Sequence, residues 1–205
     1  MRSDHEHSSA AKLLSPGQVM SPFNHQALCA SRSALWLLAL MWCVTASSAP
    51  GVTSEYRIKA AFILNFVKFV TWPADRLTKA NEPIVIGVLS QNVVALELAK
   101  LTENRAIHDH PLVVKHIQSA ADLAEAHVLY ITADELSRYE VVRSARNDLP
   151  TLLVSDAESC ERVGATICFV IQDDRLKFSI DTQAASRSRL KVSSYLQQLA
   201  ISRPN

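Results

Sequence analysis

Short runs of branched apolar residues alternate along this chain with longer stretches whose apolar positions recur every three or four residues. Residues 84–89 (IVIGVL), 112–117 (LVVKHI), 127–131 (HVLYI), 151–154 (TLLV), 166–171 (TICFVI) and 175–180 (RLKFSI) are rich in β-branched side chains and read as strands. Helices are predicted between the first four, near 92–103, 119–125 and 134–146, the last with Thr132 as a cap ahead of Asp134 and Glu135. Strand and helix in alternation imply parallel pairing with right-handed crossovers. Gln172-Asp173-Asp174 is a polar break that reads as a hairpin turn, so the last two strands are expected to run antiparallel. A helix near 188–200, with Leu190, Leu196 and Leu199 among its apolar positions, closes the domain. The predicted fold is α/β, a single three-layer domain with a mostly parallel sheet and a C-terminal antiparallel hairpin.

Ahead of the first strand stands KAAFILNFVKFVTWP, residues 59–73. A helix starting near Ser54 or Glu55 places Ile58, Ala61, Phe62, Leu64, Phe66, Val67, Phe69 and Val70 around most of its circumference, which predicts burial on more than one side. Trp72-Pro73 ends it. Asn65 and Lys68 interrupt the apolar run, so it is too short to span a bilayer, which takes about 20 residues. At 3.6 residues per turn Asn65, Lys68 and Trp72 fall near one stripe, a candidate partner surface set against the plainer reading of a solvated lysine and a hydrogen-bonded asparagine.

The N-terminus changes the picture of where the domain begins. Residues 34–44 (ALWLLALMWCV) are an uncharged apolar run after Arg32, followed by TASSAPG, which predicts a secretory signal peptide over 1–49 cleaved after Ala46 or Ala49. Met20 lies nearer the usual distance from such a run and is the alternative start. Leu40-Met41-Trp42-Cys43 is a poor lipoprotein box, because Trp42 is bulky where a small residue should precede a lipidated cysteine. The domain is then 50–205, 156 residues, enough for one full core. Of 21 Lys and Arg and 20 Asp and Glu, three and two precede residue 50, so 18 of each remain and the net charge is zero. Nothing in that balance favours nucleic acid.

Cys29 and Cys43 leave with the signal, and Cys160 and Cys168 stay. An exported pair eight apart most simply forms one disulfide, worth about 2 to 3 kcal/mol for so short a loop. A reversible redox switch and a metal site are the alternatives, the second disfavoured by the spacing. Only Gly51, Gly87 and Gly164 lie beyond Pro50, which excludes a glycine-rich phosphate loop. Ser155-Asp156 after the fourth strand lacks the glycines of a nucleophile elbow. His108-Asp109-His110 has ligand spacing, with His116 and His127 on neighbouring strands, but an exposed turn before Pro111 accounts for it better. Arg187, Arg189 and Lys191 read as a solvated patch. No metal, cofactor or catalytic residue is expected.

The blocks EYRIKAAFILNFVKFVTWPA at 55–74, IVIGVL at 84–89, HPLVVKHI at 110–117, AHVLYI at 126–131, TLLVSD at 151–156, RLKFSID at 175–181 and RLKVSSYLQQLA at 189–200 resemble, in order, those of the YfiR-like periplasmic family. The first, aromatic-rich and ending in Trp-Pro, is the most specific. The resemblance implies a compact α/β domain that can dimerise, and a periplasmic regulator binding the periplasmic part of an inner-membrane diguanylate cyclase, with an outer-membrane lipoprotein relieving the repression. It also implies that Cys160 and Cys168 are the disulfide pair before the last two strands. Ala126-His127 stands where some relatives carry a further cysteine, and Ser90-Gln91-Asn92 replaces a glycine-rich turn. The expected function is therefore non-enzymatic regulation of a diguanylate cyclase or sensor kinase by protein contact. A periplasmic small-ligand binding protein, its pocket at the carboxyl ends of the parallel strands, is the alternative. An enzyme using His108, His110 or the cysteines comes third.

Overall fold

A computed structural model describes residues 52–143 and 149–202. The leader and its cleavage positions, like the predicted helix end at 144–146, lie outside the described residues. Helix α1 spans Val52–Phe69 and runs into a two-residue strand, β1 (Val70–Thr71). There follow β2 (Ile84–Val88), α2 (Val93–Thr102), β3 (Ala106–Ile107), β4 (His110–His116), α3 (Ala120–Glu125), β5 (Val128–Ile131), a 3-10 turn (Ala133–Glu135) and α4 (Leu136–Arg143). The chain continues through β6 (Leu152–Ser155), β7 (Ile167–Gln172), β8 (Arg175–Ile180), α5 (Thr182–Arg187), β9 (Lys191–Val192) and α6 (Ser194–Leu199). The main sheet has the order β3-β4-β2-β5-β6-β7-β8, with β4, β2, β5, β6 and β7 mutually parallel. β8 closes one edge antiparallel to β7, as the Gln172-Asp173-Asp174 break predicts.

Burial on both faces explains why the strands read as nearly unbroken apolar runs. Along β5, Val128 and Tyr130 point into one core and Leu129 and Ile131 into the other. In β6, Leu152 and Val154 alternate likewise with Leu153. The first core is covered by α1 and α2, with Ile63, Phe66, Val94 and Leu98 fully buried. Leu123 of α3, Tyr139 of α4 and the Cys160–Cys168 loop cover the second. Helix, sheet and helix are the three layers. Gly87 of β2 sits where a Cβ would come within 2.8 Å of the Ile117 side chain and 3.2 Å of the Ala126 Cβ, so the second layer packs directly on its backbone.

Local side chains set the helix starts. Asn92 Oδ1 accepts from the Ala95 N–H at 2.9 Å and caps α2. Ser119 and Asp122 form a capping box for α3, each accepting from the other's backbone N–H. Three features differ from the sequence reading. The short strands β1 and β9 pair antiparallel outside the main sheet, Val70 opposite Val192. β3 pairs with β4 through a turn in which His108 and Asp109 have left-handed φ values of 50° and 66°. The predicted closing helix at 188–200 is instead a turn at Arg189 with φ 54°, strand β9 and the shorter helix α6 begun by the Ser193 cap, while a separate helix, α5, capped by Asp181, precedes it. No helix among the described residues is long and apolar enough to cross a membrane, which agrees with the length argument for α1.

Candidate functional site

Two of the three candidate surface residues of α1 stand together. Asn65 and Lys68 are exposed and line a shallow groove of about 250 Å3 with Ala61, Leu64, Leu101, Arg105, Ile107 and Leu112. Its walls are α1, the end of α2 and the β3–β4 turn, where His108 Nε2 lies 3.3 Å from the Lys68 carbonyl. The groove is apolar inside, and its cations are Lys68 and Arg105. Trp72 corrects the predicted stripe. Helical phase stops at Phe69, and the extended residues of β1 turn the indole inward, where it is buried and donates from Nε1 to the His127 carbonyl at 3.2 Å.

That contact belongs to a buried polar cluster at the start of β5. His127 Nδ1 accepts from the Val85 N–H at 3.1 Å, and Arg76 and Thr151 both donate to the Ala126 carbonyl. Nε2 of His127 and Nε of Arg76 are buried without partners among the described residues. Burial, and then the neighbouring guanidinium, push the His127 pKa down to about 4. Between that value and an unfolded value of about 6.5 the unfolded chain binds more protons. Stability is therefore complete above pH 6.5 and falls as pH drops toward 4, by about 3 kcal/mol from this residue. Urea midpoints measured from pH 7 to pH 4 should show this loss, and His127→Gln should flatten the slope.

At the opposite, carboxyl end of the sheet the loops after β2, β5 and β6 meet. Lys59 of α1 is 7% exposed, an expensive place for an ammonium, and it is held by Asp156 at 2.7 Å and Glu55 at 2.9 Å. Burial opposes the charge, but the two carboxylates outweigh it and the Lys59 pKa is raised. Tyr130 donates from its hydroxyl to the same Asp156 Oδ2 at 2.8 Å, and burial together with that carboxylate pushes the phenol pKa up. Next to this, the buried Glu135 accepts from the Ser90 hydroxyl, from Asn92 Nδ2 at 3.3 Å and from the Thr132 N–H at 2.9 Å. A carboxylate whose Oδ2 is held by an ammonium and by a phenol that keeps its proton makes a rigid polar floor at this end of the sheet. Sequence reasoning missed this cluster. Its one signal was Lys59 inside an apolar helix, and of its two counter-charges Asp156 lies 97 residues away.

Cys160 and Cys168 form the disulfide, with Cα atoms 6.0 Å apart, and both are buried in the second core. Of the His108-Asp109-His110 segment, His108 and Asp109 form the exposed turn, and the half-buried His110 opens β4 with Nδ1 2.7 Å from the Glu82 carbonyl. Among the described residues no group of three or more His, Cys, Asp and Glu is placed to hold a metal.

No curated protein matches the chain. Among solved structures, the crystal structure of a conserved domain protein from Vibrio cholerae O1 biovar El Tor str. N16961 is similar at 15% identity, with a TM-score of 0.45. The similarity covers 71% of this chain and 58% of that one, so this chain spans less than two thirds of its length. Residues 56–201 match the model of the YfiR/HmsC-like family, from α1 through α6. That match extends over well over half of the sequence: the chain belongs to the YfiR/HmsC-like family.

Proposed function

We propose that this protein is a periplasmic regulator that acts by contact on the periplasmic part of an inner-membrane diguanylate cyclase or sensor kinase, and so controls cyclic-di-GMP signalling. The family match over residues 56–201 carries the reading, because at the level of the family the role is regulatory rather than catalytic. The exported N-terminus expected from residues 34–49 is consistent with that compartment.

The groove beside Asn65 and Lys68 is the contact surface this reading favours. Its apolar floor offers Leu64, Leu101, Ile107 and Leu112, and its rim offers Lys68 and Arg105, a combination suited to an acidic, partly apolar partner segment. Both rim cations are exposed, so reversing them leaves the core intact. In membranes containing the cyclase, tagged wild-type protein should retain it, and Lys68→Glu with Arg105→Glu should weaken retention about tenfold or more with an unchanged urea midpoint. Equal retention by the charge-reversed protein would move the interface elsewhere. An outer-membrane lipoprotein competing for the regulator, and a homodimer, belong to the same proposal and are read in the same assay by adding either component.

A further inference from the structure

The sheet changes its direction of winding between β2 and β5. After β2 the chain crosses into α2 on the first core, and after β5 it crosses through the 3-10 turn into α4 on the second. Diverging connections leave a crevice at the carboxyl ends of two neighbouring strands, the place where open α/β sheets bind ligands. Here that crevice is a cavity of about 500 Å3, bordered by residues 90–94 and 132–135 and by Glu55, Tyr56, Lys59 and Asp156. Its size falls in the range of roughly 300–1,000 Å3 typical of small-molecule sites.

The charge of the cavity is one-sided. Of its described lining residues Lys59 alone is basic, and its ammonium is already taken by Glu55 and Asp156. Lys59 and Tyr130 both bond to Oδ2 of Asp156, which leaves Oδ1 without a partner among the described residues. Glu135 is satisfied by its three donors, and beside Asn92 it offsets the positive end of α2. The charge facing an incoming group is Asp156 Oδ1 with the carboxylates of Asp134 and of Glu55, the second partner of Lys59, while Gln91 and Thr132 add neutral polar groups. Beside them lie the half-buried Tyr56 ring and the apolar side chains of Val93 and Leu96, 42% and 54% exposed.

We propose that this cavity binds an organic cation, an ammonium or guanidinium group carried on an apolar body. The cationic head sits at Asp156 and Glu55, where it completes charge-assisted hydrogen bonds, and the body packs on Tyr56, Val93 and Leu96. An anionic ligand meets three carboxylates and no spare cation, and a neutral one offers Asp156 Oδ1 at most a hydrogen bond from an uncharged donor, weaker than that of a cation and without its attraction to Glu55 and Asp134. The head group has two sources, a free amine or a basic side chain presented by a protein, and the inference stands whether or not the partner is a cyclase.

The test titrates phenethylamine, its neutral analogue 2-phenylethanol, its anionic analogue 3-phenylpropionate and the blocked dipeptide acetyl-Phe-Lys-amide into isotope-labelled protein, followed by amide NMR. Phenethylamine should shift the amides of residues 90–94 and 132–135, while the alcohol and the acid leave them in place. High salt, and a Glu55→Gln, Asp134→Asn double variant whose replaced side chains reach solvent, should each weaken binding about tenfold or more. A response to the free amine alone assigns a soluble ligand, and tighter binding of the dipeptide assigns a partner's side chain. Equal responses to the three phenyl probes, or unmoved amides in both loops with either cation, would overturn the proposal.

Discussion

Replacing Phe66 with alanine is expected to cost about 3 to 5 kcal/mol of unfolding free energy. Phe66 has no exposed surface, and its ring meets Phe62 at 5.9 Å, Phe169 at 5.8 Å and Phe178 at 5.0 Å between centroids. Those partners tie α1 to the β7–β8 hairpin, and Tyr130 extends the cluster to the centre of the sheet, 6.4 Å from Phe169. The alanine would lose both the apolar transfer term and the aromatic edge contacts, and it would leave a cavity that β7 and β8 cannot close without breaking their ladder. Urea denaturation should show a lower midpoint with an unchanged slope. Phe66→Leu keeps most of the volume and should cost clearly less. A loss below about 1 kcal/mol in the alanine variant would mean that α1 is not clamped by this cluster.

The second large effect is expected at Asp156. Removing its carboxylate in Asp156→Ala leaves the buried Lys59 with Glu55 as its partner and Tyr130 without an acceptor, and should cost about 3 kcal/mol or more. The diagnostic feature is the pairing rather than the single number. Lys59→Met in the same background removes the stranded charge and should restore much of the lost stability, since apolar replacement of a whole buried pair is often close to neutral. A double variant as unstable as Asp156→Ala alone would place the cost in lost packing instead of an uncompensated charge. The four proteins form one double-mutant cycle, read by thermal or urea unfolding.

Which parts of this structure could be read from the residues follows from how each part is stabilised. The central strands announced themselves because both faces are buried, so Val128-Leu129-Tyr130-Ile131 is apolar at every position and bounded by polar residues. The hairpin was legible from its turn, where Asp173 and Asp174 take left-handed φ values that short polar side chains tolerate. β1, β3 and β9 were not, because two residues carry no periodicity. The closing segment misled for a definite reason: Leu196 and Leu199 are three apart, a helical spacing, and the helix was carried back to Leu190, which the turn at Arg189 and the cap at Ser193 place outside it. Trp72 misled in the same way, since the helical period was continued past the residue at which the helix ends.

The candidate site divides along the same line. Asn65 and Lys68 were legible as polar interruptions of an apolar helix, but the groove they border is made by α2 and β3, brought there only by the fold. The crevice at the carboxyl end of the sheet depends on Glu55, Lys59, Ser90, Glu135 and Asp156, residues scattered over four segments. Strand order decides that they meet, and strand order is a tertiary property. The disulfide lay at the other extreme, since two cysteines eight residues apart in a domain expected to be exported have one simple use.

The central claim is regulation of a diguanylate cyclase through contact, and intracellular cyclic-di-GMP tests it most directly. In cells lacking this protein the nucleotide should rise, the wild-type copy should return it to its starting level, and an exported, folded copy carrying Lys68→Glu and Arg105→Glu should not. Cyclic-di-GMP that stays the same whether the protein is absent, restored or charge-reversed would contradict the account.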